Sequence, residues 1–202
     1  MLELGEGAYA RAEAHLEEAL ALRRKHGRRT AGILDSLGRI ALTRGDLDRA
    51  LALFTEAEAE SREAGDAPMR GSALRSLGRV LTQLGEHERA EAVLVESLSL
   101  GQSLAWRNLI AECFDALAAL AAGREDSARA ATLLGCADEA REAIDAHRLD
   151  ADRRRYDDLI GELKAVLGAR ELAARYAVGR GLAADDAMEL ARAPARAAMV
   201  TH

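Results

Sequence analysis

Aromatic residues are scarce in this chain. Two Phe, three Tyr and one Trp make up 3 % of it, which disfavours an aromatic-lined pocket or an aromatic-rich sheet. Two prolines and the want of any Val/Ile/Thr-rich alternating run leave almost nothing to read as a strand. No apolar run approaches the roughly 18 residues a membrane span needs, and Met1-Leu2-Glu3 does not open a signal peptide. Only two cysteines occur, Cys113 and Cys136, without a C-x-x-C pair. They read as reduced, small core residues of a cytoplasmic protein. A formal charge of −6 argues against a general grip on nucleic acid, which needs clustered Lys and Arg. His15, His26, His87, His147 and His202 are scattered, and none makes H-E-x-x-H. Glu17-Glu18 and Asp185-Asp186 are sequence neighbours, so each pair diverges on a helix rather than sharing a site. No G-x-x-x-x-G-K-[ST] occurs either. Nothing in this inventory supports catalysis, a cofactor or a metal.

Hydrophobic residues are nevertheless 49 % of the chain, many of them Ala, which suits closely packed helices. They recur with a beat. LGRIALTRGDLDRALALFTEA runs from Leu37 to Ala57, LGRVLTQLGEHERAEAVLVES from Leu77 to Ser97, and LAALAAGREDSARAATLLGCA from Leu117 to Ala137. A half copy, GAYARAEAHLEEA, runs from Gly7 to Ala19. Each copy reads as helix, turn, helix. Small residues at 38, 50, 57, 78 and 90 let helix backbones approach, and Leu or Phe at 37, 54, 77 and 94 fill the remainder. Gly45 and Gly85 end the first helices by accepting a positive φ. The expected fold is all-α, an α-solenoid of antiparallel helix pairs with an about 40-residue period. Helices are expected over 8–26, 30–44, 47–64, 69–84, 87–100, 105–122 and 126–146.

The Leu-Gly pairs at 37–38 and 77–78, with Ala50-x-x-x-Phe54 and Ala90-x-x-x-Leu94, resemble the tetratricopeptide repeat, whose unit is about 34 residues. Leu34 and Ala41 stand where that family has Trp and Tyr, and its late Pro is absent. Six extra residues per unit mean either longer connections or longer helices. The expected organisation is a repeat region over 1–147, divided as a half repeat 1–27 and repeats 28–65, 66–104 and 105–147. A helical cap over 148–193 and a disordered tail over 194–202 follow.

Past residue 150 the beat stops. Tyr156, Leu159, Ile160, Leu163, Val166 and Leu167 mark an amphipathic helix that Gly168 closes, and a shorter helix ends at Gly179 and Gly181. A last helix, ADDAMELARA, begins without a Ser or Thr cap because Ala183 holds that position. An array needs such a terminal element to cover its final apolar face. From Gly7 to Arg192 the chain is similar to the C-terminal arm of large bacterial STAND-type predicted ATPases and LuxR-type regulators. The resemblance implies an arm that binds a partner or an inducer and restrains or releases an ATPase. The ATPase and DNA-binding motifs of those proteins are not found in this sequence.

The tetratricopeptide resemblance also implies where a partner binds. The first helix of each pair lines the concave side, which places Asp35, Ser36, Arg39 and Thr43 there from one unit. The next supplies Ser72, Arg75, Ser76, Arg79, Thr82 and Gln83, and the third supplies Glu112 and Asp115. Guanidiniums at 39, 75 and 79 suit a carboxylate or phosphate held in two-pronged fashion. The competing reading is a solvated salt-bridge lattice in which Asp35 and Asp115 pair with Arg75. A protein or peptide partner is expected in this groove, or a small-molecule inducer. Neither membrane nor direct nucleic-acid binding is expected, and the half repeat, through Leu16, Leu20 and Tyr9, is expected to support self-association.

Overall fold

In this computed structural model, which describes residues 2–148 and 150–193, local chemistry sets the helix ends with a fixed rhythm. Residues in the left-handed region stand at Gly45, Gly65, Gly85, Ala105, Glu125 and Asp145, each twenty after the last. Asp46, Asp66 and Asp126 follow three of them and accept hydrogen bonds from the backbone N–H of Arg49, Met69 and Arg129 at 3.1–3.2 Å. Each such carboxylate satisfies an orphan donor of the first turn.

These stops divide the chain into α1 (Leu2–Lys25), α2 (Ala31–Thr43), α3 (Leu47–Glu63), α4 (Ala67–Gln83), α5 (His87–Ser103), α6 (Arg107–Gly123) and α7 (Ser127–Glu142). The C-terminal elements are α8 (Asp150–Gly181), broken at Gly168, and α9 (Ala184–Arg192). The described residues contain no strand, and the helices pack in consecutive pairs, as an α-solenoid requires. Three-residue turns link α2 through α7, so longer helices, not longer connections, absorb the extra length of each unit.

The small-residue positions are the points of closest approach. A Cβ on Gly38 would lie 2.7 Å from the Phe54 ring, and one on Gly78 would lie 2.4 Å from Leu94 Cγ. Ala50, Phe54, Ala57, Ala90 and Leu94 are completely buried. Gly71 gives the same access between units, since its Cβ would meet Leu109 Cδ2 at 2.7 Å. Its carbonyl accepts from the buried Ser97 hydroxyl, which in turn accepts a weak bond from Cys113 Sγ at 3.2 Å. Burial pushes the Cys113 thiol up to about 12 and the Cys136 thiol to about 11.

Several sequence expectations shift here. The first helix begins at Leu2 rather than residue 8, and Leu20 is buried against Ala31, Leu34 and Ala57 instead of open to water. Leu16 is partly covered by the same cluster, while Tyr9 stays exposed. The turn from α1 brings α2 back across that face. The helix expected to stop at Gly101 continues to Ser103, because Gly101 packs within it against Ile110 and the turn falls at Ala105.

At the C-terminal end, Gly168 has φ 77° and ψ 160°, which reverses the chain between two halves of α8. The first half packs Tyr156, Leu159, Ile160, Leu163 and Leu167 inward, whereas Val166 faces solvent. The second half crosses α7 at a glycine-on-glycine contact. A Cβ on Gly135 would stand 2.2 Å from the Tyr176 carbonyl oxygen, and one on Gly179 would stand 1.9 Å from that of Thr132. Gly179 is therefore a packing residue inside α8, not its terminator. Without a side-chain cap at Ala183, α9 is held by burial of Ala187, Met188 and Ala191 and by Arg129 Nη2, which donates to the carbonyls of Leu190 and Ala191 at 3.3 Å. The tail expected over 194–202 lies outside the described residues. No described helix is long and apolar enough to cross a membrane.

Candidate functional site

The first helices of successive pairs, α2, α4 and α6, lie side by side, and the first half of α8 continues the row. Their shared face carries the residues that the sequence placed in a groove, but not all in one place. Arg75, Arg79, Thr82, Gln83, Glu112 and Asp115 converge on a cavity of about 280 Å³ walled by α4, α6, α7 and α8. Arg39 and Thr43 stand outside it on α2. Arg39 is exposed, and the Thr43 hydroxyl donates to the Arg39 carbonyl at 2.8 Å. Ser76 is buried, with its hydroxyl 3.4 Å from Asp35 Oδ1, so both seal the α2–α4 contact rather than line open space. Ser36 is likewise turned to its own helix, donating to the Gly32 carbonyl at 2.8 Å.

Electrostatics differ around the cavity. Asp115 is committed to Arg148 at 2.8 Å and to Arg141, a buried residue of α7. The expected Asp115–Arg75 pair does not form, because these two cations reach Asp115 from the α7 side. Arg75 instead meets Glu112, with Nε 3.1 Å from Oε2. That Nε is buried and not aligned for a hydrogen bond with any acceptor. Among the described residues Arg79 pairs with Asp152, 3.9 Å away, and Asp152 is also taken by Arg155. Burial, then the nearby charges of Arg155 and Arg75, hold the Arg79 guanidinium down at about 10. Burial raises the Asp35 carboxyl above its usual range against the pull of Arg75 and Arg39.

Beside this cavity lies a polar cluster that sequence reasoning missed. Asp138 on α7 accepts the Tyr156 hydroxyl at 3.0 Å, and it also takes Tyr176 and Arg148. Arg148 stacks on the Tyr156 ring, 3.8 Å from its centroid. Desolvation and the Asp138 charge push both tyrosine hydroxyls upward. The cluster ties both halves of α8 to α7. Two tyrosines twenty apart around a glycine were its only trace in the sequence, and the reversal at Gly168 is needed to bring them together. Among the described residues, no group of three or more His, Cys, Asp or Glu is arranged to hold a metal ion.

Residues 29–103, the stretch from α2 through α5, match the family model described as Tetratricopeptide repeat. No curated protein and no solved structure matches the chain. The match supports a tetratricopeptide-repeat protein, and such repeats generally mediate protein–protein interaction.

Proposed function

We propose that the chain is a non-catalytic interaction module that binds a protein or peptide along the row of α2, α4 and α6. In this reading it serves in the cytoplasm as the regulatory arm of a bacterial signal-transduction ATPase or transcriptional regulator. The observation that carries the binding face is Arg79. Its guanidinium is largely buried, yet among the described residues its ion-pair partner is Asp152 at 3.9 Å, a loose pairing that an acidic partner group would improve. Arg39 extends the same charge along the groove.

The test uses peptides selected by display on the immobilised full chain. Their affinity is then measured for the Arg39→Ala, Arg79→Ala double variant. A loss of at least about tenfold, with a melting temperature not below that of the parent, supports the groove. Unchanged affinity contradicts it. A second reading, an inducer-sensing domain of such a regulator, is favoured by the cavity itself, whose wall of four helices suits a small molecule better than an extended chain.

A further inference from the structure

In this cavity charge, a concave wall and apolar surface meet. Three guanidiniums, those of Arg75, Arg79 and Arg155, share two carboxylates, Glu112 and Asp152. Glu112 is further occupied by the Asn108 amide, which donates to it at 3.0 Å. A third carboxylate on the wall, Asp115, is held by Arg141 and Arg148, and an apolar part of the wall is formed by Leu134, Leu159 and the Tyr156 ring. Fork-shaped donors that face a half-open cleft and outnumber its acceptors match the shape of an oxyanion. At about 280 Å³ the space is at the small end of ligand pockets, the size of a metabolite and not of a folded segment.

We propose that this cavity binds a small ligand through an oxyanion, a phosphate or a carboxylate, gripped between Arg79 and Arg75 of α4 and Arg155 of α8, with its body against Leu159 and Tyr156. The proposal rests on the inducer-sensing reading and names its ligand class. Such a ligand bridges two elements that hardly touch otherwise. Between α4 and α8 the ion pair found among the described residues is Arg79–Asp152, at 3.9 Å. A bound oxyanion displaces Asp152 from Arg79 and adds a link between α4 and the first half of α8, which is otherwise held by α7.

The experiment titrates the full chain with inorganic pyrophosphate and, separately, citrate, against sodium chloride of equal ionic strength, and reads binding by calorimetry. One of the two oxyanions binds saturably while chloride does not, and which one binds identifies phosphate or carboxylate as the head group. Arg79→Met weakens binding at least tenfold. Asp152→Asn, which removes the internal competitor, tightens it severalfold, a gain that a merely misfolded variant does not give. Binding of neither anion above chloride overturns the proposal, as does full binding by Arg79→Met or weaker binding by Asp152→Asn. Display-selected peptides are measured in parallel. Peptide binding without anion binding sinks this proposal and leaves the groove reading standing, and the reverse result sinks only the groove reading.

Discussion

At Arg79 the fold and the binding site make opposite demands. A buried guanidinium among other guanidiniums is harder to keep charged than one in water, and so it is held at about 10 instead of 12.5. Its folded value is depressed, so the charged state costs stability wherever both folded and unfolded chains carry it, which is everywhere below about pH 10. The cost fades as pH rises through 10 toward the unfolded value and the folded chain sheds its proton first. Arg79→Met keeps the apolar stem and removes the charge. It should therefore stabilise the protein at pH 7 by roughly 1–3 kcal/mol, with a gain that stays level from pH 6 to 9 and narrows above 10. Chemical denaturation across that range checks it. A variant less stable than the parent at pH 7 would show that Arg79 serves the fold. Arg39, Arg75 and Arg79 were singled out in the sequence, though only Arg75 and Arg79 line the cavity. Their unequal burial was not legible there, because it depends on α8 arriving over α4 from more than seventy residues away.

The helices show why a sequence beat can survive the loss of its letters. Glycines at 45, 65 and 85 mark turns plainly, but Ala105, Glu125 and Asp145 adopt the same positive φ without glycine. Flanking helices packed on both sides hold these residues where a side chain is strained, at a cost of about 1–2 kcal/mol each. Glu125→Gly should recover up to about 1 kcal/mol, less the extra freedom it gives the unfolded chain. Gly179→Ala should do the reverse, because its methyl meets a backbone carbonyl that cannot rotate away. A loss of about 3 kcal/mol, at the upper end for overpacking, is expected. Thermal melts of the two variants are the check, and a neutral Gly179→Ala would mean that α8 does not cross α7 there. Gly38 and Gly78 were legible as contact residues because a repeat places them against Phe54 and Leu94. Gly179 belongs to no repeat. Its partner, Gly135, lies beyond a reversal that local pattern does not encode, and it reads in sequence as an ordinary helix end. Gly101 misleads in the opposite sense, as a glycine that looks like a stop and is a packing site.

For the whole molecule, a solenoid offers two long faces with different side chains, and only one of them carries the cavity. Charges at the turns are taken up by pairs such as Arg124–Glu91 at 2.6 Å, which ties the α6–α7 turn to α5 of the preceding pair. The row of α2, α4 and α6 leaves Arg75 and Arg79 poorly matched among the described residues. Fold class and the order of helix pairs could be read from composition and spacing, since each unit repeats its own contacts. The closed end of the groove could not, because α8 and its tyrosine cluster fall outside the beat. The binding face is the central claim, and hydrogen exchange of the full chain with and without a display-selected peptide tests it most directly. Added protection should fall on α2, α4, α6 and the first half of α8, with α3, α5 and α7 unchanged. Protection concentrated on α3, α5 and α7 would contradict the account.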